Sequence, residues 1–254
     1  MSVNYLNRLV QRTAKWKWLH GSFAFAILLP LWMLVGFGLA VVSTWVLVYL
    51  LAWAGVSLSG IDETILNTIF AAVIYLLALG FVIVLPRLWQ SYTTKKDLGL
   101  TRWPSWADIG LAPLGFIIYF IASSLLVFIA SSIFSGFDVS QVQETGFTRF
   151  SQSYEYILAF VTLIVVAPVA EELLFRGYLY GKLKKHLPVW VSVFITSVVF
   201  GLVHMQWNVG LDVFALSIVL CSLREITGNI WSGMLLHMLK NSVAFFIIFI
   251  SPML

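Results

Sequence analysis

Seven long apolar runs alternate with short polar stretches along the chain: 23–53, 65–89, 109–134, 156–175, 189–205, 211–223 and 230–250. An apolar helix of about twenty residues crosses a bilayer. The pattern therefore predicts an all-α, polytopic transmembrane helix bundle of about 7–8 spans. The first run is long enough to hold a break near Pro30, and the sixth is short. Three regions follow: a basic, interfacial N-terminal segment (1–22), N-terminal transmembrane helices (23–150) and a C-terminal transmembrane core (151–254).

Composition supports a membrane class. Of 254 residues, 61% are hydrophobic and only 10% charged, against about a quarter charged in soluble domains. Cys221 stands alone, so no internal disulfide forms. The formal net charge of +4 is spread between apolar runs without forming a large patch, which argues against nucleic acid as a partner.

Those basic residues carry topology instead. Arg8, Arg12, Lys15 and Lys17 precede the first run, with Leu6, Leu9, Val10, Trp16 and Leu19 placed to form an apolar stripe of an interfacial helix. Arg87, Lys95, Lys96 and Arg102 lie in the second connection, and Lys182, Lys184 and Lys185 in the fourth. The first connection has Asp62 and Glu63. The third has Asp138 and Glu144 against Arg149. The alternation predicts a cytoplasmic N-terminus. An integral protein of the plasma (inner) membrane is expected. The first apolar run is too long for a cleaved signal peptide.

Ionisable residues inside spans cost roughly 2.5–3.5 kcal/mol each at a helix centre and are functional candidates. Glu171, Glu172, Arg176, His204 and His237, with the polar Asn241, form the set, all in the second half; the first three spans show no comparable group. Glu172 and Arg176 stand at i and i+4 in the favourable acid-first order. Glu171 points about 100° away on the same helix and keeps no partner there. Glu171 lies sixteen residues before Leu187, and His204 sixteen after Pro188. An antiparallel hairpin would bring them to one level about 15 Å deep. His237 reaches a similar depth, and Asn241 shares its helical face.

A carboxylate with two imidazoles can hold and deprotonate a water, and an imidazole with an amide can stabilise an oxyanion. Glu171, His204 and His237 are alternatively a zinc set with an open fourth position. The bland readings are a Glu172–Arg176 helix pin, helix-linking histidines and an Asn241 interhelical hydrogen bond. The spacing of Gly177 and Gly181 permits close helix packing.

At these residues the chain resembles the CPBP intramembrane proteases, which include type II CAAX prenyl endopeptidases and bacteriocin-processing or immunity proteins. The matching elements are Glu171-Glu172-x-x-x-Arg176, Phe200-x-x-x-His204 and His237-x-x-x-Asn241, in that order, with Thr227–Trp231 also similar. The resemblance spans roughly 156–249. It implies a cavity open to the cytoplasm, a water activated by Glu171 and His204, an oxyanion site from His237 and Asn241, and orienting roles for Glu172, Arg176 and Phe200. The expected activity is endopeptidase cleavage near the cytoplasmic side, with no cofactor required and zinc as the alternative. Expected partners are the lipid bilayer and a peptide or membrane-protein substrate, lipidated in one branch of the family. Lys240, inside the last motif, departs from the pattern and must face water, pair with an acid or snorkel. A non-catalytic binding or immunity protein on the same fold is the alternative function. A transporter is a weaker one, because no inverted repeat is present.

Overall fold

The computed structural model describes residues 3–138, 144–147 and 150–253, with side chains from residue 24 to 252 within them. The N-terminal apolar stripe and Arg149 fall outside the described side chains. Every regular element among the described residues is helical.

Among the described residues five helices are long and apolar enough to cross a membrane: Ala24–Trp53, Glu63–Trp89, Trp106–Ile133, Ser153–Leu183 and Trp231–Ile250. The first is the C-terminal part of α1 (Val3–Trp53), which passes through Pro30 without a break. A membrane helix tolerates the lost hydrogen bond where neighbours and local turns re-satisfy the backbone. We label Glu63–Trp89 α2, Lys95–Leu98 α3, Trp106–Ile133 α4, Ser153–Leu183 α5, Val189–Leu202 α6, Trp207–Thr227 α7 and Trp231–Ile250 α8.

The fifth and sixth apolar runs differ from the expected pair of full spans. They form a hairpin of a 14-residue helix and a 21-residue helix. At 1.5 Å per residue α6 is about 21 Å long, short of a hydrocarbon core of about 30 Å. Gly201 and Gly210 let the two helices touch. A Cβ on Gly201 would lie 2.8 Å from the Gly210 carbonyl oxygen. A tight turn, with Met205 at φ 55°, joins them.

Lipid-sized apolar faces stay outside: Leu125, Phe128, Ile157 and Trp190 are all exposed. The inner faces make one large core in which Leu174, Phe175 and Leu179 of α5 meet Phe200 of α6, Leu216 and Leu220 of α7 and Leu236 of α8. A smaller cluster, Phe147, Ala159, Ile164, Phe245 and Phe249, closes the far end. The Gly177–Gly181 spacing is used against α3: a Cβ on Gly177 would meet the Leu98 backbone.

The fourth span runs further than 156–175. It continues through Glu172 and Arg176 to Leu183 because these charges neutralise each other inside the bundle. Two stretches of α5, Val161–Val166 and Glu172–Leu179, have wide π-type turns. Such turns are often found at functional sites.

Candidate active site

Four of the singled-out residues, Glu171, His204, His237 and Asn241, line one cavity of about 330 Å³. They come from three elements. Glu171 sits where α5 passes into its second wide turn. His204 stands on the α6–α7 turn, not within a helix as the sequence predicted, since α6 ends at Leu202. His237 and Asn241 lie one turn apart on α8.

The two adjacent glutamates have different partners. Glu172 is fully buried, and its Oε1 accepts from Arg176 Nη1 at 3.0 Å. The same oxygen lies 3.0 Å from His237 Nδ1. Glu171 is partly open to the cavity. Its Oε1 accepts from the Tyr75 hydroxyl at 2.6 Å, and its Oε2 lies 3.7 Å from His237 Nε2.

These contacts set the imidazole tautomers. A carboxylate paired with arginine only accepts, so His237 Nδ1 carries the proton it shares with Glu172. His204 Nδ1 lies 2.8 Å from the Phe200 carbonyl oxygen, another pure acceptor, and carries its proton too. In each neutral ring Nε2 is then a lone-pair nitrogen. His204 is thereby equipped to accept a proton. His237 donates from Nε2 only as an imidazolium.

Phe200 holds the cluster together. Its ring carries the Arg176 guanidinium at 4.2 Å. It also contacts Phe175, His204 and His237 at centroid separations of 4.7, 5.1 and 5.9 Å. Asn241 Nδ2 donates to the Leu163 carbonyl at 2.8 Å. One of its two N–H groups is thus fixed to α5, and the other is available.

Four further side chains were missed by the sequence reading, three of them in the first three spans, where it saw nothing comparable. Tyr75 on α2 lines the cavity and holds Glu171. Tyr119 and Ser123 on α4 each donate to Asp212 Oδ1 at 2.6 Å. Asp212 Oδ2 lies 3.5 Å from Lys240 Nζ. The extra lysine in the last motif therefore pairs with an acid, the second of its three expected fates. Asp212 carried a readable signal, as an acid inside an apolar run. Tyr75 carried none, because tyrosine is common in membrane helices.

Among the described residues no group of three His, Cys, Asp or Glu side chains is placed to hold a metal ion. The zinc set of Glu171, His204 and His237 thus gains no support from their arrangement. Buried Leu174, Phe175 and Phe200 wall the cavity toward the lysine-rich end of α5. The lining continues past Val203 and Gln206 to Glu144 and Thr145 of the connection between α4 and α5. There the Glu144 N–H donates to Gln206 Oε1 at 3.2 Å.

Fold and site together define a polytopic α-helical membrane protein with a carboxylate–imidazole cluster in its interior. Residues 153–243 match the family described as Type II CAAX prenyl endopeptidase Rce1-like. A protein of Bacillus subtilis (strain 168) named "Putative membrane peptidase YdiL" is 28% identical over 85 residues, which is 34% of this chain and 35% of that protein. The alignment thus spans about a third of the curated relative it matches. No solved structure matches. The similarity to that family lies in the part of the chain that holds Glu171, His204, His237 and Asn241.

Proposed function

We propose that the chain is an intramembrane endopeptidase in which Glu171 and His204 activate a water. The observation that carries this reading is the shared cavity, with the Nδ1 protons of both imidazoles already committed. A water there can donate one hydrogen bond to the Glu171 carboxylate and one to His204 Nε2, leaving a lone pair free to attack.

Attack forms the bond from the water oxygen to the carbonyl carbon, and the water's proton passes to Glu171 or His204. The oxyanion accepts from the free Asn241 N–H and from Nε2–H of an imidazolium at His237. Collapse breaks the C–N bond, and the amine leaves with the proton held by the general base. Every group in this sequence is a side chain of the protein, and no cofactor is required. Glu172 and Arg176 orient His237, and Phe200 spaces the two imidazoles.

The proposed scissile bond lies nearer the lysine-rich side, a reading supported by the position of Glu171 along α5. Glu171 precedes Leu183, the end of α5, by 12 residues and follows Ser153, its start, by 18. The proposed substrate is a peptide or membrane-protein segment that enters from the bilayer.

The test is cleavage of a quenched-fluorescent peptide library by the purified protein in detergent. Glu171→Gln, His204→Ala and His237→Ala should each lose cleavage while keeping the wild-type melting profile, and a chelator should leave the wild type active. Cleavage surviving in Glu171→Gln would overturn the proposal. Cleavage lost to chelator and restored by zinc would replace the cofactor-free mechanism.

A further inference from the structure

The carboxylate assigned to water activation needs a fixed orientation, and α5 itself supplies none. Glu172 takes the arginine of that helix. Glu171 is held from outside, by the Tyr75 hydroxyl at 2.6 Å. Tyr75 belongs to α2, beyond the residues 153–243 that match the family.

We infer that Tyr75 is a positioning residue for Glu171, an inference that rests on the endopeptidase reading above. Its hydroxyl fixes Oε1, which leaves Oε2 as the oxygen presented to water. The 3.7 Å between Oε2 and His237 Nε2 is too long for a direct hydrogen bond. Without the tyrosine, rotation of the carboxylate would let it close on His237 and cease to serve as a base. A neutral donor suits the task. It restrains the carboxylate without neutralising it, whereas the Arg176 guanidinium ties Glu172 into a buried ion pair.

The tyrosine is itself well placed. Its ring meets Phe37 of α1 edge-on at 6.4 Å. Two contacts anchor the preceding turns of α2: Asn67 Nδ2 donates to the Gly146 carbonyl at 2.7 Å, and Thr162 Oγ1 of α5 donates to Thr68 Oγ1 at 3.4 Å. The N-terminal spans, which carry none of the family motifs, thus contribute one side of the catalytic geometry.

The test is Tyr75→Phe, which removes one oxygen and keeps the ring packing. Full-length protein in detergent is assayed on a peptide that the wild type cleaves, beside Glu171→Gln. The expected result is kcat lower by roughly ten- to a hundred-fold, with KM within about two-fold and the melting temperature unchanged. A wild-type kcat, or a parallel loss of melting temperature and substrate affinity, would overturn the inference. If Glu171→Gln is inactive while Tyr75→Phe is normal, the positioning role alone fails. If Glu171→Gln still cleaves, the endopeptidase reading fails with it. Infrared spectroscopy supplies a readout that needs no substrate. The carboxylate band that Glu171→Gln deletes should shift in Tyr75→Phe, and an unmoved band would contradict the contact.

Discussion

At the scale of single residues, adjacent glutamates do different work because their neighbours differ. Glu172 and Arg176 have fully buried side chains and stand 3.0 Å apart. Breaking such a pair from one side leaves an uncompensated charge, at about 3–5 kcal/mol, whereas replacing both partners is far milder. Arg176→Met should therefore lower thermal stability more than the double variant Glu172→Gln/Arg176→Met, as read by melting in detergent. Equal losses would contradict the buried-pair account. The i,i+4 spacing made this pair legible in the sequence. The Tyr75 contact was not legible, because it joins residues 96 apart in the chain, and no local periodicity encodes such a meeting.

At the scale of elements, the α6–α7 hairpin presents His204 and places Phe200 beside His237. Its contact depends on Gly201, where a methyl group would strike the Gly210 backbone. Gly201→Ala is expected to cost about 1–3 kcal/mol, the range for overpacking, and to reduce activity by moving the histidine turn. A melting curve and a rate within error of wild type would contradict this. Counting apolar residues predicted two spans here. It put the break at 206–210, beyond most of the actual turn at 203–206, because Val203 and Met205 are as apolar as the helices they interrupt. A second element-scale link is Asp212, which joins two α4 hydroxyls to Lys240 on the helix of His237 and Asn241. Asp212→Asn should weaken that link, lowering melting temperature and kcat together.

At the scale of the whole molecule, run lengths and charge alternation were enough to read an all-α membrane bundle. They could not say that α6 stops at 14 residues, short of a span, while five of the described helices reach one. Burial in a bundle depends on neighbours, not on the hydropathy of one segment. The basic connections predict a topology that cysteine labelling can check. Cys221 is fully buried and should stay silent. In sealed right-side-out vesicles a membrane-impermeant maleimide should label Ser59→Cys and spare Ser91→Cys. The reverse pattern would invert the orientation and place the lysine-rich end of α5 outside.

The central claim is that a carboxylate inside this bundle activates water to cut a peptide bond. Its most direct measurement is peptide cleavage by the purified wild type beside Glu171→Gln, with the two proteins matched in melting profile. The account predicts cleavage by the wild type and none by the variant. Equal cleavage by both proteins would contradict it.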